Sequence, residues 1–145
     1  MNFPKNLHDK LSPHFAKGEL ACHHCGELVL NGFLLVGLEA LRAKVDQAIV
    51  VTSGYRCREH NAAVGGTLQS KHLIGEAADI YCPGLALLKL LNAAQDLWMF
   101  QQGGIGLYPE QRFIHVDVYP VRRRWGRLKG AYVGFNLALE ELGDE

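Results

Sequence analysis

The sequence has none of the features that mark a membrane protein, a disordered chain or a polyanion-binding protein. Its 145 residues contain 15 basic and 15 acidic side chains, so the formal net charge is zero and indicates no polyanionic partner. The most apolar stretch, residues 28–41, includes Asn31, Gly32 and Glu39 and is too short for a membrane span. No internal repeat or low-complexity tract is present.

Neither a secretory signal nor a disulfide framework is visible in the sequence. Residues 1–10 have no apolar run or small-residue cleavage site, so we expect synthesis in the cytoplasm without a signal peptide. The four cysteines, at positions 22, 25, 57 and 82, are expected to be free thiols or metal ligands. A chain of this length builds one core without cross-links. We therefore predict a single domain over residues 1–145, with an N-terminal arm at 1–20 and an acidic tail at 136–145.

Hydrophobic periodicity predicts an α+β fold, a small antiparallel sheet with flanking helices. Apolar residues recur every three or four positions over residues 34–45 and 85–100, which indicates two helices. Short strands are predicted at residues 49–53, 78–82, 104–108 and 113–118, with a turn at 109–112 between the last two. Residues 7–18 are expected to be irregular, and residues 55–70 are rich in the small and polar residues of loops.

Three side chains form a candidate metal site: His72, Asp79 and His115. Two imidazoles and a carboxylate are a ligand set of catalytic zinc, which leaves a fourth position open for water. Taken singly, each has an ordinary structural explanation: His72 as a solvated loop histidine, Asp79 as a turn or cap residue, and His115 as a core histidine with its hydrogen bonds satisfied. Taken together they favour a metal, because Asp79 and His115 interrupt apolar strands, where titratable residues need a partner. Gly75 between them would allow the bend that brings loop and strand ligands together.

Two carboxylates compete for the role of general base. Phe113, His115 and Asp117 alternate with aliphatic residues, so Asp117 should lie on the same face of its strand as His115. There it would accept a proton from water or hold a ligand imidazole in the correct tautomer. Glu110, in the preceding turn, is the other candidate. The sequence favours Asp117 slightly and leaves both open.

The segment from Ser70 to Asp79, Ser-x-His-x-x-Gly-x-Ala-x-Asp, followed by His115-x-Asp117, resembles the signature of zinc D-Ala-D-Ala carboxypeptidases. That family includes phage endolysin peptidases and murein endopeptidases, with hedgehog-type domains as distant structural relatives. Residues 50–56, 59–61 and 104–108 resemble the segments that lead into the family's site. The similarity spans about residues 15–125.

The resemblance implies a hedgehog-like or DD-peptidase-like fold and one zinc ion held by His72, Asp79 and His115. It places Ser70 near the substrate, and Arg56 as the group that stabilises charge on the scissile carbonyl or binds a carboxylate. The implied reaction is hydrolysis of peptidoglycan stem peptides next to D-alanine, by a carboxypeptidase or an endopeptidase that acts on the cell wall if another factor delivers it. A monomer is expected. Several relatives carry His-x-His or a Glu before the last histidine, where this chain has Arg112-Phe-Ile.

Other interpretations of the sequence stay open beside the zinc peptidase. A zinc-containing cell-wall-binding module without turnover would carry the same ligands. The basic segment at residues 122–129, around Trp125, could contact nucleic acid, although a solvated strand end or a contact with anionic wall polymer or substrate carboxylates is favoured. Cys22 and Cys25, which flank His23 and His24, are expected to pack in the N-terminal arm. A second metal site and a disulfide or redox role are the alternatives, since no second Cys-x-x-Cys supplies four ligands.

Overall fold

A six-stranded sheet with helices packed against it forms the centre of the chain, which confirms the α+β prediction. The computed structural model describes residues 7–143. The strands are β1 (Lys10–Ser12), β2 (Phe15–Ala16), β3 (Val50–Ser53), β4 (Ala77–Tyr81), β5 (Gly104–Tyr108), β6 (Phe113–Asp117), β7 (Arg123–Leu128) and β8 (Ala131–Val133). The helices are α1 (Lys17–Leu20), α2 (Gly32–Val45), α3 (Arg58–Ala63), α4 (Leu87–Gln95), α5 (Trp98–Gln101) and α6 (Phe135–Leu142), with a 3₁₀ turn at Lys71–Ile74.

The order of strands in the sheet is β3-β4-β6-β5-β7-β8. Neighbouring strands are antiparallel, as predicted, except that β7 runs parallel to β5. Because β6 runs antiparallel to β5, the end of β6 lies beside the start of β5. Residues 118–122 then connect β6 to β7 at this edge of the sheet. The Arg123 N–H then donates to the carbonyl of Gly103 at 3.1 Å, and β7 extends along the other side of β5. Most of the basic segment is therefore a strand of the sheet, and the cations at its two ends, Arg122 and Lys129, are exposed.

The strand register brings together residues that are far apart in the sequence. Asp79 on β4 pairs with His115 on β6, which in turn pairs with Gly106 on β5. Gly106 also pairs with Trp125 on β7. These residues form one row across the middle of the sheet. Asp79 and His115 were expected to share a pocket if their two strands are neighbours, and β4 and β6 are indeed paired.

The core lies on one face of this sheet, against α2 and α4. The fully buried aliphatic side chains of the three central strands alternate with the polar ones, so the polar residues occupy the opposite face. The predicted helix at residues 34–45 is confirmed as α2. It begins after Asn31, whose side chain accepts a hydrogen bond from Phe33 N–H at 2.8 Å, and it ends at Asp46, which has a φ of 51°.

Several predicted elements differ from those observed. The single helix expected at residues 85–100 is two helices, because Leu97 is extended, with φ −92° and ψ 122°, between α4 and α5. Trp98, which lies within that predicted helix, is 72% exposed. The loop expected at 55–70 contains α3. No helix within residues 7–143 is long and apolar enough to cross a membrane.

Both chain ends contain more structure than expected. The arm expected to be irregular forms the β1–β2 hairpin and α1, because Phe15 and Leu20 are each 1% exposed and anchor it to the core. The acidic tail includes most of α6, which buries Ala138 and Leu142. The parts of these two predictions that concern residues 1–6 and 144–145 lie outside the described residues.

Candidate metal centre

His72 is positioned by the 3₁₀ turn that precedes β4. The turn begins at Ser70, whose hydroxyl accepts a hydrogen bond from the His72 N–H at 3.3 Å, and it ends at Gly75, which has a φ of +71°. A Cβ at Gly75 would overlap the carbonyl oxygen of Val29. The bend predicted at Gly75 is therefore present, and only glycine fits it without strain.

The structure brings the three predicted ligands together on the polar face of the sheet. Nε2 of His72 and Nδ1 of His115 each lie 3.2 Å from Oδ1 of Asp79. All three donor atoms lie within 4.8 Å of one another, and the three residues are buried. Zinc binds nitrogen and oxygen ligands at about 2.0 to 2.2 Å, so a convergent set of two imidazoles and one carboxylate fits this ion.

The remaining ring nitrogens are held by hydrogen bonds that leave lone pairs on the converging atoms. Nδ1 of His72 donates to the carbonyl oxygen of Gly54 at 2.8 Å. Nε2 of His115 donates to Oδ2 of Asp117 at 2.8 Å. Each histidine thus has its proton on the nitrogen that points away from Asp79, which is the tautomer a metal ligand requires.

Asp117 lies behind His115 and is completely buried. Besides Nε2 of His115, it binds the N–H of Gly104 at 3.0 Å and the guanidinium of Arg123. Burial raises the pKa of Asp117, but the bonds to His115 and the charge of Arg123 outweigh burial and lower it overall. The carboxylate is therefore ionised, and both of its oxygens are engaged within the sheet.

Arg56 lies on the other side of the candidate centre and is fixed by three contacts. Its Nη2 donates to Oδ2 of Asp79 at 3.0 Å, its Nε to the hydroxyl of Ser53 at 2.9 Å, and its Nη1 to Oδ1 of Asn61 at 3.4 Å. The guanidinium thereby binds the oxygen of Asp79 that does not face the imidazoles. Arg56 also lines the cavity described below, beside the ligands.

The electrostatics of the centre lower the pKa of Asp79 and, without metal, raise the pKa of His115. Burial raises the pKa of Asp79, but the two imidazoles more than compensate and hold it well below its usual range. Burial lowers the pKa of His115, and the hydrogen bonds to Asp117 and Asp79 outweigh it, so the net shift is upward. A cation at this position is stabilised by the two carboxylates.

An open cavity of about 440 Å³ exposes the centre to solvent. Its lining includes all three candidate ligands together with Arg56 and Ser70, so the predicted substrate-side residues and the ligands share one cavity. Neither Asp117 nor Glu110 is part of that lining. Oε1 of Glu110 accepts a hydrogen bond from the Lys129 N–H at 2.6 Å instead. Among residues 7–143, Asp79 is the one carboxylate in the cavity wall.

Sequence reasoning did not assign the aromatic wall of the cavity to the site. The indole of Trp125 packs on the imidazole of His115 with ring centroids 4.9 Å apart, and its Nε1–H donates to the hydroxyl of Tyr108 at 3.2 Å. Gly106, which lies between them in the sheet, has no side chain, and a Cβ there would overlap the indole. Burial raises the pKa of Tyr108 to about 12, so the phenol stays protonated.

A signal for this wall was present in the sequence. Tyr108 follows Gly104 and Gly106 at every second position, and Trp125 follows Arg123 in the same way. Period-two spacing of glycine and aromatic residues in short strands indicates one face with room for a large ring. What the spacing does not show is that β5 and β7 are neighbours in the sheet.

Comparison with known proteins identifies the family to which the chain belongs. The family model of Peptidase M15 matches residues 13–117. The chain is 39% identical over 79 residues to the probable peptidoglycan L,D-endopeptidase MepK of Haemophilus influenzae, an alignment that covers 51% of this chain and 41% of that protein. It is 33% identical over 95 residues to the peptidoglycan L,D-endopeptidase MepK of Escherichia coli K12, covering 62% of this chain and 48% of the relative.

The chain spans a little under half of the length of these curated relatives. The family match includes the turn that carries His72 and the strands that carry Asp79 and His115. The resemblance to zinc D-Ala-D-Ala carboxypeptidases and murein endopeptidases is thereby confirmed, and the chain belongs to the peptidase M15 family.

Proposed function

We propose that this chain is a zinc-dependent peptidase that cleaves peptidoglycan stem peptides as an endopeptidase. The observation that carries the proposal is the convergence of Nε2 of His72, Oδ1 of Asp79 and Nδ1 of His115 on the wall of an open cavity. When bound at such a set of ligands, zinc supplies Lewis-acid chemistry, which polarises a carbonyl and makes water a stronger nucleophile near neutral pH. The names of the MepK relatives support cleavage within peptidoglycan peptides.

The residues around the ligands act by holding them in place. Asp117 keeps the proton of His115 on Nε2, so that Nδ1 has its lone pair directed at the metal position. Arg56 holds Oδ2 of Asp79 and leaves Oδ1 to face the two imidazoles. In this arrangement Asp117 is a positioning residue rather than the general base, since the protein already occupies both of its oxygens.

The cavity wall provides groups that suit an anionic peptide. Stem peptides carry carboxylates, and the rim of the cavity offers the ammonium of Lys71 and the hydroxyl of Ser70. Lys71 is held over the ring of Tyr119, with its Nζ 3.7 Å from the ring centroid. Tyr108 and Trp125 add aromatic surface to the same wall, where the indole packs against the ring of His115.

The test is digestion of purified, defined muropeptides, with the products identified by mass spectrometry. We expect the zinc-loaded protein to split cross-linked or internal stem-peptide bonds, a chelator to stop the reaction, and added zinc to restore it. His72→Ala should abolish turnover. His14→Ala should not, because His14 lies on the surface and pairs with Glu39.

Three outcomes would count against the proposal in different ways. Cleavage that survives complete zinc removal would contradict metal dependence. Release of terminal D-alanine alone would identify a carboxypeptidase instead of an endopeptidase. Metal-replete protein that yields no product from any of the defined muropeptides would rule out the peptidase.

One observation favours a second function, a zinc-containing cell-wall-binding module without turnover. Within residues 7–143, the cavity wall has no carboxylate besides the ligand Asp79, so a free general base is missing from it. Such a module would retain zinc and sediment with purified peptidoglycan without releasing fragments. The same digestion distinguishes it from the peptidase, because a pelleting assay on the same samples reports binding separately from cleavage.

A further inference from the structure

A second cluster of metal-binding side chains lies outside the cavity. The sulfur atoms of Cys22, Cys25 and Cys57 all lie within 4.8 Å of one another, and all three are free thiols. Cys22 and Cys25 belong to the turn after α1, while Cys57 directly precedes α3. The Cys-x-x-Cys pair therefore gains a third thiol from a segment that is more than thirty residues away in the sequence.

The imidazole of His24 lies beside one of these thiols, that of Cys57, and is the candidate fourth ligand. Nδ1 of His24 lies 3.4 Å from Sγ of Cys57. The ring of His24 is stacked on that of His60, with the centroids 6.3 Å apart and the planes 7° from parallel. Three thiolates and one imidazole are a ligand set of structural zinc, which is closed and tetrahedral and holds no water.

The local backbone is shaped to present the sulfurs on one side. Gly26, with a φ of +76°, turns the chain after Cys25, and its N–H donates to the carbonyl of Cys22 at 2.8 Å. The N–H of Cys57 donates to Sγ of Cys22, and the N–H of His60 donates to Sγ of Cys57, each at 3.4 Å. Such bonds stabilise sulfur in the thiolate form that a metal binds.

A disulfide explains the cluster less well than a metal. Three thiols are present, so one disulfide would leave the third sulfur unpaired beside it. A metal engages all three at once. We propose that Cys22, Cys25, Cys57 and His24 bind a structural Zn²⁺ ion, separate from the one held by His72, Asp79 and His115.

This ion would stabilise the wall of the cavity that contains Arg56. The segment 54–57 contacts both centres: the carbonyl of Gly54 accepts from Nδ1 of His72, Arg56 binds Asp79, and Cys57 belongs to the thiol cluster. The same segment is joined to α1 by a hydrogen bond from the Tyr55 N–H to the carbonyl of Leu20 at 2.8 Å. Zinc bound at the thiols would fix Cys57. Because Arg56 directly precedes Cys57 in the chain, the ion would also hold Arg56 in place.

The experiment counts bound zinc in the purified full chain and in three variants, independently of catalysis. Wild type is expected to hold about two zinc ions per chain, whereas Cys25→Ser and His72→Ala each hold about one. Cys25 is exposed, so its replacement by serine should leave the fold intact. Cys82→Ser is the matched control, because Cys82 is a buried thiol away from the cluster, and it should keep about two.

Substitution of Co²⁺ for zinc assigns each ion to its ligands. A thiolate-to-cobalt charge-transfer band is expected in wild type and in His72→Ala, and its loss is expected in Cys25→Ser. An unchanged zinc count in Cys25→Ser, or an intact mass lower by two hydrogens from a disulfide, would each overturn the proposal, whereas one zinc ion in wild type that is lost in Cys25→Ser would support it. Failure of the peptidase assay would not affect it, since none of these readouts depends on turnover.

Discussion

Asp117 holds His115 from behind: its Oδ2 accepts the Nε2–H of His115 at 2.8 Å, while Nδ1 of the same ring lies 3.2 Å from Oδ1 of Asp79. One imidazole thus connects a fully buried carboxylate to the candidate metal position. The carboxylate is in turn fixed by Gly104 and Arg123. Partners of this kind set the tautomer and orientation of a metal ligand and affect metal affinity without contacting the metal.

Replacement of Asp117 by asparagine should weaken zinc binding. The amide is a poorer acceptor for the Nε2–H of His115 and leaves Arg123 without its counter-charge, so we expect about 10- to 100-fold lower zinc affinity. Competition with a chromophoric chelator measures this directly. Glu110→Gln is the control, because Glu110 lies outside the cavity and binds Lys129. Equal affinities for Asp117→Asn and wild type would contradict the positioning role.

Stabilisation by zinc should grow as the pH rises from 6 to 8. In metal-free protein the pKa of His115 is raised, so its contribution to stability is complete below the pKa of an unfolded histidine and is lost as the pH rises through the raised value. Zinc requires the neutral ring, so its binding competes with this proton. The pKa of Asp79 is lowered, and its contribution is lost only at acidic pH.

Thermal unfolding with and without zinc, at fixed free metal, checks this pH dependence. The melting temperature of metal-free protein should fall towards pH 8, and the increase caused by zinc should be larger at pH 8 than at pH 6. If the increase in melting temperature caused by zinc became smaller as the pH rises, zinc binding would not displace a proton from the site.

Gly75→Ala should destabilise the protein more than Gly65→Ala. Both glycines have positive φ, at +71° and +76°, which costs a residue with a Cβ about 1 to 2 kcal/mol. A Cβ at Gly65 meets open space, whereas one at Gly75 overlaps the backbone of Val29. We therefore expect a larger loss in the free energy of unfolding for Gly75→Ala, measured with urea. Weaker zinc binding should accompany it because the turn carries His72, and equal losses for both variants would contradict the steric argument.

Trp125→Ala should lower zinc affinity and turnover, by about tenfold, because the indole covers the ring of His115 and limits its contact with water. Trp125→Phe keeps an aromatic ring and should recover much of the loss. Trp98→Ala is a matched control, since Trp98 is 72% exposed on the surface. Zinc titration together with muropeptide digestion checks both quantities. A loss of equal size in Trp98→Ala would point to a general effect of removing tryptophan.

The candidate ligands were predictable because their signal is local. Asp79 and His115 interrupt short apolar strands with period-two spacing, and Gly75 indicates the bend between His72 and Asp79. The structure brings all three together. The helix at residues 34–45 was predictable for the same reason, since its periodicity and its cap lie within one stretch of chain.

The residues that the sequence analysis did not assign to a site come near it only through tertiary contacts, above all through which strands are neighbours in the sheet. Nothing local to residues 122–129 shows that this segment pairs in parallel with β5, yet that pairing brings Arg123 to Asp117 and Trp125 to His115. The same applies to Cys57, which joins Cys22 and Cys25 only in the folded chain. The split of the helix predicted at residues 85–100 is a further case, because the backbone at Leu97 is extended without any proline or glycine there.

The sequence by itself determined the kinds of ligand, the α+β class and the alternation that separates a polar face from an apolar one. Only the tertiary structure decided what each polar residue does. It placed both oxygens of Asp117 within the sheet, and it placed Arg56 against Asp79. The physical reason is that spacing along a strand sets the face on which a side chain lies, whereas hydrogen bonding depends on distances across strands. Those distances follow from the order and register of the whole sheet.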